Sequence, residues 1–204
     1  MERIDTRSKT TRKAALLALA LALALALAAV AAIFLHASPG RPAAEASPPP
    51  AVEAKVAVPE DEGLWLTAPK MARVKDLPVL TGPATDEAAL AESALRVAGT
   101  GLPWQEEANV YIAGHRIGFE GERSYLVFYD LEVLQNGDEV ILTDSDGTRY
   151  TYTVFRSFVV GPSDYHVTEP VPGKNIVSLQ TCTPIPTFEE RLVVQAELAE
   201  VAPA

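Results

Sequence analysis

The chain carries a single cysteine, Cys182, in 204 residues, so no disulfide can form within it and its thiol has no partner. Basic residues are scarce: 17 Lys and Arg stand against 27 Asp and Glu, a formal net charge of −10. The first thirteen residues, MERIDTRSKTTRK, hold five basic and two acidic ones, so the acidic excess lies entirely beyond them and excludes nucleic acid as the main domain's partner. Internal repeats and heptad runs are also missing, which excludes solenoids and coiled coils. The acidic stretch Thr143 to Thr148, TDSDGT, lacks the further ligands and closing glutamate of a calcium loop and reads as a hairpin turn.

What is present begins with apolar residues, 48% of the chain, enough for a real core. Residues 14–35, AALLALALALALALAAVAAIFL, are uncharged and long enough at the helical rise to cross a bilayer, which predicts a transmembrane helix. Arg3, Arg7, Lys9, Arg12 and Lys13 flank it on one side only, so residues 1–13 are expected as a cytoplasmic tail and the rest as extracellular. A cleaved signal peptide fits less well: the apolar region is too long, and Leu35-His36-Ala37 is a poor cleavage site. His36 then reads as an interfacial residue. Residues 36–62, dense in Pro and Ala, read as an extended linker, and residues 63–200 as the folded domain.

Within that domain, Pro69 and Pro78 bound short apolar pieces that suit edge strands. A helix of about four turns is predicted from Thr85. Leu90, Ala94 and Val97 lie on its one face, and Gly99 terminates it. From Asn109 onward the text reads as strands: VYIAG, YLVFYDL, EVILT, YTYTVF, FVV, IVSLQT and LVVQAEL, punctuated by turn residues such as Asn136-Gly137 and Pro172-Gly173. Short strands, tight turns and one marked helix predict an all-β (mainly β) domain, a closed or nearly closed β-barrel.

A nucleophilic cysteine needs a base or ion-pair partner and a positive group for the oxyanion formed on attack at a carbonyl. Strand alternation puts Ser178, Gln180 and Cys182 opposite the apolar Val177 and Leu179, and His115 opposite Val110 and Ile112. The same parity sets Arg191 opposite Leu192, Val194 and Ala196. Singly, each has a plainer reading: a lone cysteine as a small buried hydrophobe, a strand-end histidine as a satisfied hydrogen-bonding residue, an arginine beside Glu189 and Glu190 as a solvated ion pair. Their joint occurrence with an odd cysteine favours a site. His166, in SDYH ahead of the cysteine strand, competes with His115 and is expected in a loop lining the groove.

SLQTC followed by Arg191 on the next strand, after NVYIAGHR upstream, resembles the sortase family, whose pattern is a TLxTC strand, an arginine on the following strand and a histidine in an A-G-H-R-like segment. The resemblance spans roughly Leu64 to Leu198, including Pro69-Lys70 and LQNGDEVIL; Ser178 stands where threonine is usual, and LPWQEEANV departs from the usual lead-in to the histidine strand. It implies a barrel of about eight strands with one or two short helices, Cys182 as nucleophile, His115 as proton carrier and Arg191 as oxyanion and substrate support. Thr181 and Ser178 are implied as substrate-binding.

The layout looks most like class E sortases of high-GC Gram-positive bacteria. That implies cleavage of an LAxTG- or LPxTG-like sorting motif on secreted proteins and transfer to an amine of a cell-wall precursor. A pilus-building enzyme would use a pilin lysine, and a peptidase would use water. No metal or organic cofactor is implied, since Glu120, Glu122, Asp164 and Glu169 form no ligand series. A non-enzymatic alternative, a tethered binding barrel, requires Cys182 to be buried and remote from His115 and Arg191.

Overall fold

A computed structural model describes residues 58–204; the predicted tail and transmembrane helix, and the linker as far as residue 57, lie outside the described residues. Eight strands form the domain: β1 Leu64–Thr67, β2 Leu77–Gly82, β3 Ala94–Val97, β4 Asn109–Ala113, β5 Glu139–Asp144, β6 Arg149–Val160, β7 Ile176–Thr183 and β8 Glu190–Ala202. They close into a barrel in the order β1-β2-β3-β4-β7-β8-β6-β5. The β2/β3 and β4/β7 pairs are parallel and the others antiparallel. Among the described residues one short helix, α1, spans Glu87–Glu92, and 3₁₀ turns cover Leu131–Val133 and Tyr165–Thr168.

Alternation fills the barrel. Val110 and Ile112 of β4, Val177 and Leu179 of β7, and Leu192, Val194 and Ala196 of β8 join one core with Phe128, Leu142, Tyr150 and Tyr152. Each large side chain fully buried there contributes roughly 1.5–3 kcal/mol. The opposite face of the same strands is not left to water. Tyr111 and Val193 pack beneath Val167 of the second 3₁₀ turn, with Val97, Phe158 and Val160 around them.

Closure revises the expectation of edge strands, because β1 pairs with both β2 and β5, and β2 with both β1 and β3. Pro78 is accommodated because pairing with β3 starts at Val79, beyond the position that lacks an N–H. The four-turn helix is also corrected. Asp86, not Thr85, caps α1, its carboxylate accepting from Ala89 N at 3.0 Å. The helix ends at Ser93, which is extended, and Ala94–Val97 becomes β3. That tetrad pairs with β2 on one side and β4 on the other and buries Ala94, Leu95 and Arg96, more than one helical stripe could cover.

YLVFYDL is likewise no strand. Its backbone makes successive turns, with Val127 N donating to Ser124 O at 2.9 Å and Leu131 N to Phe128 O at 3.2 Å, and it drops Val127, Phe128 and Leu131 into the core. A short apolar run serves a strand or a plug equally. YTYTVF and FVV merge into β6, with register irregularities at Thr151/Tyr152 and Val154/Arg156. The TDSDGT stretch does turn between β5 and β6, organised by Asp144, whose buried carboxylate accepts from Asp146 N, Thr148 N and the Tyr150 hydroxyl.

Candidate active site

Parallel neighbours end at the same edge of a sheet, and this places the site. In the β4/β7 register Ala113 pairs with Gln180, so His115, two residues on, comes level with Cys182. On the other side Cys182 pairs directly with Arg191 of β8. His115, Cys182 and Arg191 therefore form one row across three adjacent chain segments, and all three line a single cavity of about 440 Å³.

The cavity floor is Tyr111, Ala113 and Gln180, its apolar walls include Leu90, Val97, Val160 and Val167, and Thr85, Glu87, Asp164, Tyr165 and Thr168 stand along it. Cys182 is half-buried, reachable and yet partly shielded. The cavity lies on the sheet face that the 160–168 segment roofs, so the site arises where that roof leaves the strand ends uncovered.

His115 is held from several directions. Its carbonyl accepts from Phe128 N at 2.9 Å, and Gly114 N donates to Gln180 O at 3.0 Å. Gly114 is required for this arrangement: a Cβ there would sit 2.7 Å from the Phe128 ring. The Glu122 carboxylate lies 3.9 Å from His115 Nε2, and each side chain is 21% exposed. Glu122 is itself fixed by Phe119 N, donating to it at 2.8 Å, and Gly118 gives both groups room, since a Cβ there would meet Glu122 at 2.6 Å and the His115 ring at 3.0 Å.

Arg191 Nη1 donates to Phe188 O at 3.1 Å and Glu190 O at 2.9 Å. Among the described residues no carboxylate pairs with it, so it is not the ion-pair partner of Glu189 or Glu190 that its neighbourhood suggested. Among the described residues its remaining N–H groups have no protein acceptor, which leaves them available to an anionic or carbonyl oxygen. Tyr111 donates to Gln180 Oε1 at 2.9 Å; burial pushes its phenol well above the ordinary tyrosine range, against the opposing pull of Arg191's charge. The floor thus stays neutral beside the cation.

Other candidates fall elsewhere. His166 is exposed on the second 3₁₀ turn and is absent from the cavity lining, which takes Tyr165, Val167 and Thr168 from that turn. Ser178 and Thr181, expected to bind substrate, are both fully buried and outside the lining. Their hydroxyls are engaged internally: Ser178 donates to Asn109 Oδ1 at 2.7 Å and accepts from Gln195 at 2.9 Å, and Thr181 donates to Gly114 O at 2.7 Å.

Sequence alone does not mark Glu122 or Tyr111 as residues of this site. A glutamate in a charged loop looks like any solvated residue, and only the closeness of Gly118 to it hints at packing. Chemically, the row offers a thiol nucleophile, an imidazole able to carry a proton, and a cation for a developing oxyanion.

Residues 66–199 match the family model described as Sortase domain. The chain is 38% identical to sortase A of Streptococcus agalactiae over 91 residues, 44% of this chain and 36% of that one. Sortase A from Corynebacterium diphtheriae superposes with a TM-score of 0.60 at 27% identity, covering 70% of this chain and 63% of that one. The pilus-related sortase C of Group B Streptococcus gives 0.59 at 27% identity, covering 71% and 70%. The chain thus spans about a third of the length of the first relative and just under two thirds of the second.

Proposed function

The chain belongs to the sortase family, and on that premise we propose that it is a cysteine transpeptidase whose reacting groups are Cys182, His115 and Arg191. The observation that carries the reading is their single row in one cavity. A binding barrel with a structural cysteine needs that residue to be remote from the other two.

In the proposed reaction the Cys182 thiolate attacks the carbonyl carbon of the threonine-glycine bond in a sorting signal, and Arg191 stabilises the oxyanion. The C–N bond breaks as the His115 imidazolium protonates the leaving amine, which leaves a thioacyl-enzyme and a neutral imidazole. An incoming amine then attacks the thioester, passes its proton to His115 and restores the thiolate-imidazolium pair. The new amide is the product. No step calls on a metal or organic cofactor.

The substrates are sorting-signal-bearing secreted proteins of LAxTG or LPxTG type, with an amine of a cell-wall precursor as acceptor. This is the class E reading, and residues 14–35 anchor the enzyme to the membrane with its domain outside, where both substrates are confined and their effective concentrations rise. A pilin lysine is the second acceptor to consider, in view of the likeness to a pilus-related sortase C. The test is to incubate the full chain in detergent with LAxTG and LPxTG peptides and either a short peptidoglycan-stem amine or a lysine-bearing pilin peptide. Product mass identifies the acceptor. Absence of any Cys182-dependent amide product contradicts the reading.

A further inference from the structure

The last β4/β7 register pair is Ala113 with Gln180, and only Gly114 N, bonded to Gln180 O, extends the backbone ladder past it. His115 and Cys182 lie just beyond, where strand ends open most readily. Two side-chain bonds continue the connection. Thr181 Oγ1 donates to Gly114 O at 2.7 Å, and Arg116 Nη1 donates to Thr183 Oγ1 at 3.3 Å. They fall on the residues immediately before and after both Cys182 and His115, so each reacting residue is bracketed by a bond to the other's chain segment.

Arg116 is buried, and the Glu132 carboxylate pins it from the Leu131–Val133 turn. Among the described residues its Nε has no hydrogen-bond partner. A buried guanidinium with one N–H unmatched is poorly arranged for stability, and an aliphatic side chain would fill the space without that penalty. What it does provide is a rigid strut from the Glu132 turn to the residue following Cys182.

We infer that Thr181, Thr183 and Arg116 form a two-bond clamp that fixes the separation and orientation of Cys182 and His115. They are positioning residues: Thr181 acts through the Gly114 backbone, and Arg116 through Thr183. The inference rests on the reading of Cys182 and His115 as a reacting pair, and it gives buried Thr181 a task other than holding substrate.

The test uses the full chain with Thr181→Val, Thr183→Val, the double valine variant and the double serine variant, which retains both hydroxyls. Transpeptidation kinetics and the rate of Cys182 alkylation by iodoacetamide are measured on each. Each single valine variant lowers kcat about three- to tenfold and the pair about 100-fold, as for a small misplacement of reacting groups, while KM for the peptide changes less than about twofold. The serine variant stays near wild type, a rescue that loss of threonine packing alone cannot produce.

Wild-type kcat and alkylation in the double valine variant, or serine variants as slow as valine ones, overturn the clamp. If wild type gives no Cys182-dependent amide product, the transpeptidase reading fails separately, and slower alkylation in the valine variants still supports the clamp. Should the double valine variant not fold, Thr183→Val, which leaves the buried bond to Gly114 intact, carries the same test.

Discussion

Cys182 and Arg191 stand directly opposite one another across the antiparallel β7/β8 pair, on the sheet face turned from the barrel core. Such a pair puts a thiol and a guanidinium in a fixed relation that no loop rearrangement is needed to create. Because Arg191 is held by two backbone carbonyls at one nitrogen, its fork is aimed, not merely charged. Arg191→Ala should lower kcat/KM by about 100-fold or more. Arg191→Lys keeps the charge but loses the fork and should recover only a small part. Steady-state transpeptidation rates check both, and a fully active lysine variant would show that charge alone suffices.

Glu122 lies within ion-pair range of His115, 3.9 Å from its Nε2. Glu122→Gln preserves size and removes the charge. It should lower kcat about tenfold, equivalent to ~1.4 kcal/mol in the barrier. Thermal unfolding should stay close to wild type. A variant with unchanged kcat would reduce Glu122 to a loop-capping residue for Phe119 N.

Gly114→Ala forces a Cβ to within 2.7 Å of the Phe128 ring in the core. Overpacking of this kind costs about 1–3 kcal/mol. Urea unfolding should show that loss, and activity should fall further than the destabilisation alone explains, because Gly114 directly precedes His115. Equal stability would mean that Phe128 yields easily.

Burial holds the phenols of Tyr111, Tyr150 and Tyr152 well above the ordinary tyrosine range, with the hydrogen bond to Asp144 adding to this at Tyr150. In the unfolded chain they ionise at about pH 10. Above that pH the unfolded state binds fewer protons than the folded one, so stability falls as pH rises; below it this contribution is fully present. Urea unfolding between pH 8 and 11.5 should show midpoints declining above about pH 10, with phenolate absorbance of these three appearing only on unfolding. A flat stability profile across that window would contradict their burial.

The sequence made the row of His115, Cys182 and Arg191 legible, because alternation in VYIAGH and IVSLQTC assigns faces without knowledge of the partner strands. It also located the turn between β5 and β6 through Asp146-Gly147. The limits have physical causes. ALRV satisfies helical spacing from Leu90 and also a doubly paired strand, and only its long-range partners β2 and β4 decide between them. YLVFYDL has strand composition but plugs the barrel through turns, an outcome set by the space around Phe128. Thr181 follows the family pattern and Ser178 stands where threonine is usual, yet the hydroxyls of both serve bonds to the β4 segment, which no local signal distinguishes from substrate contact. Arg116 and Glu122 look like surface charges until the fold buries one and aims the other at an imidazole.

The most direct measurement is intact-mass analysis of the full chain mixed with an excess of sorting peptide, with and without an amine acceptor. Wild type should gain the mass of the acyl portion as a hydroxylamine-labile adduct on Cys182, and amine should discharge it into a new amide. Cys182→Ala should form neither. Amide product from Cys182→Ala, or a peptide adduct on wild type that maps to a residue other than Cys182, would contradict the account.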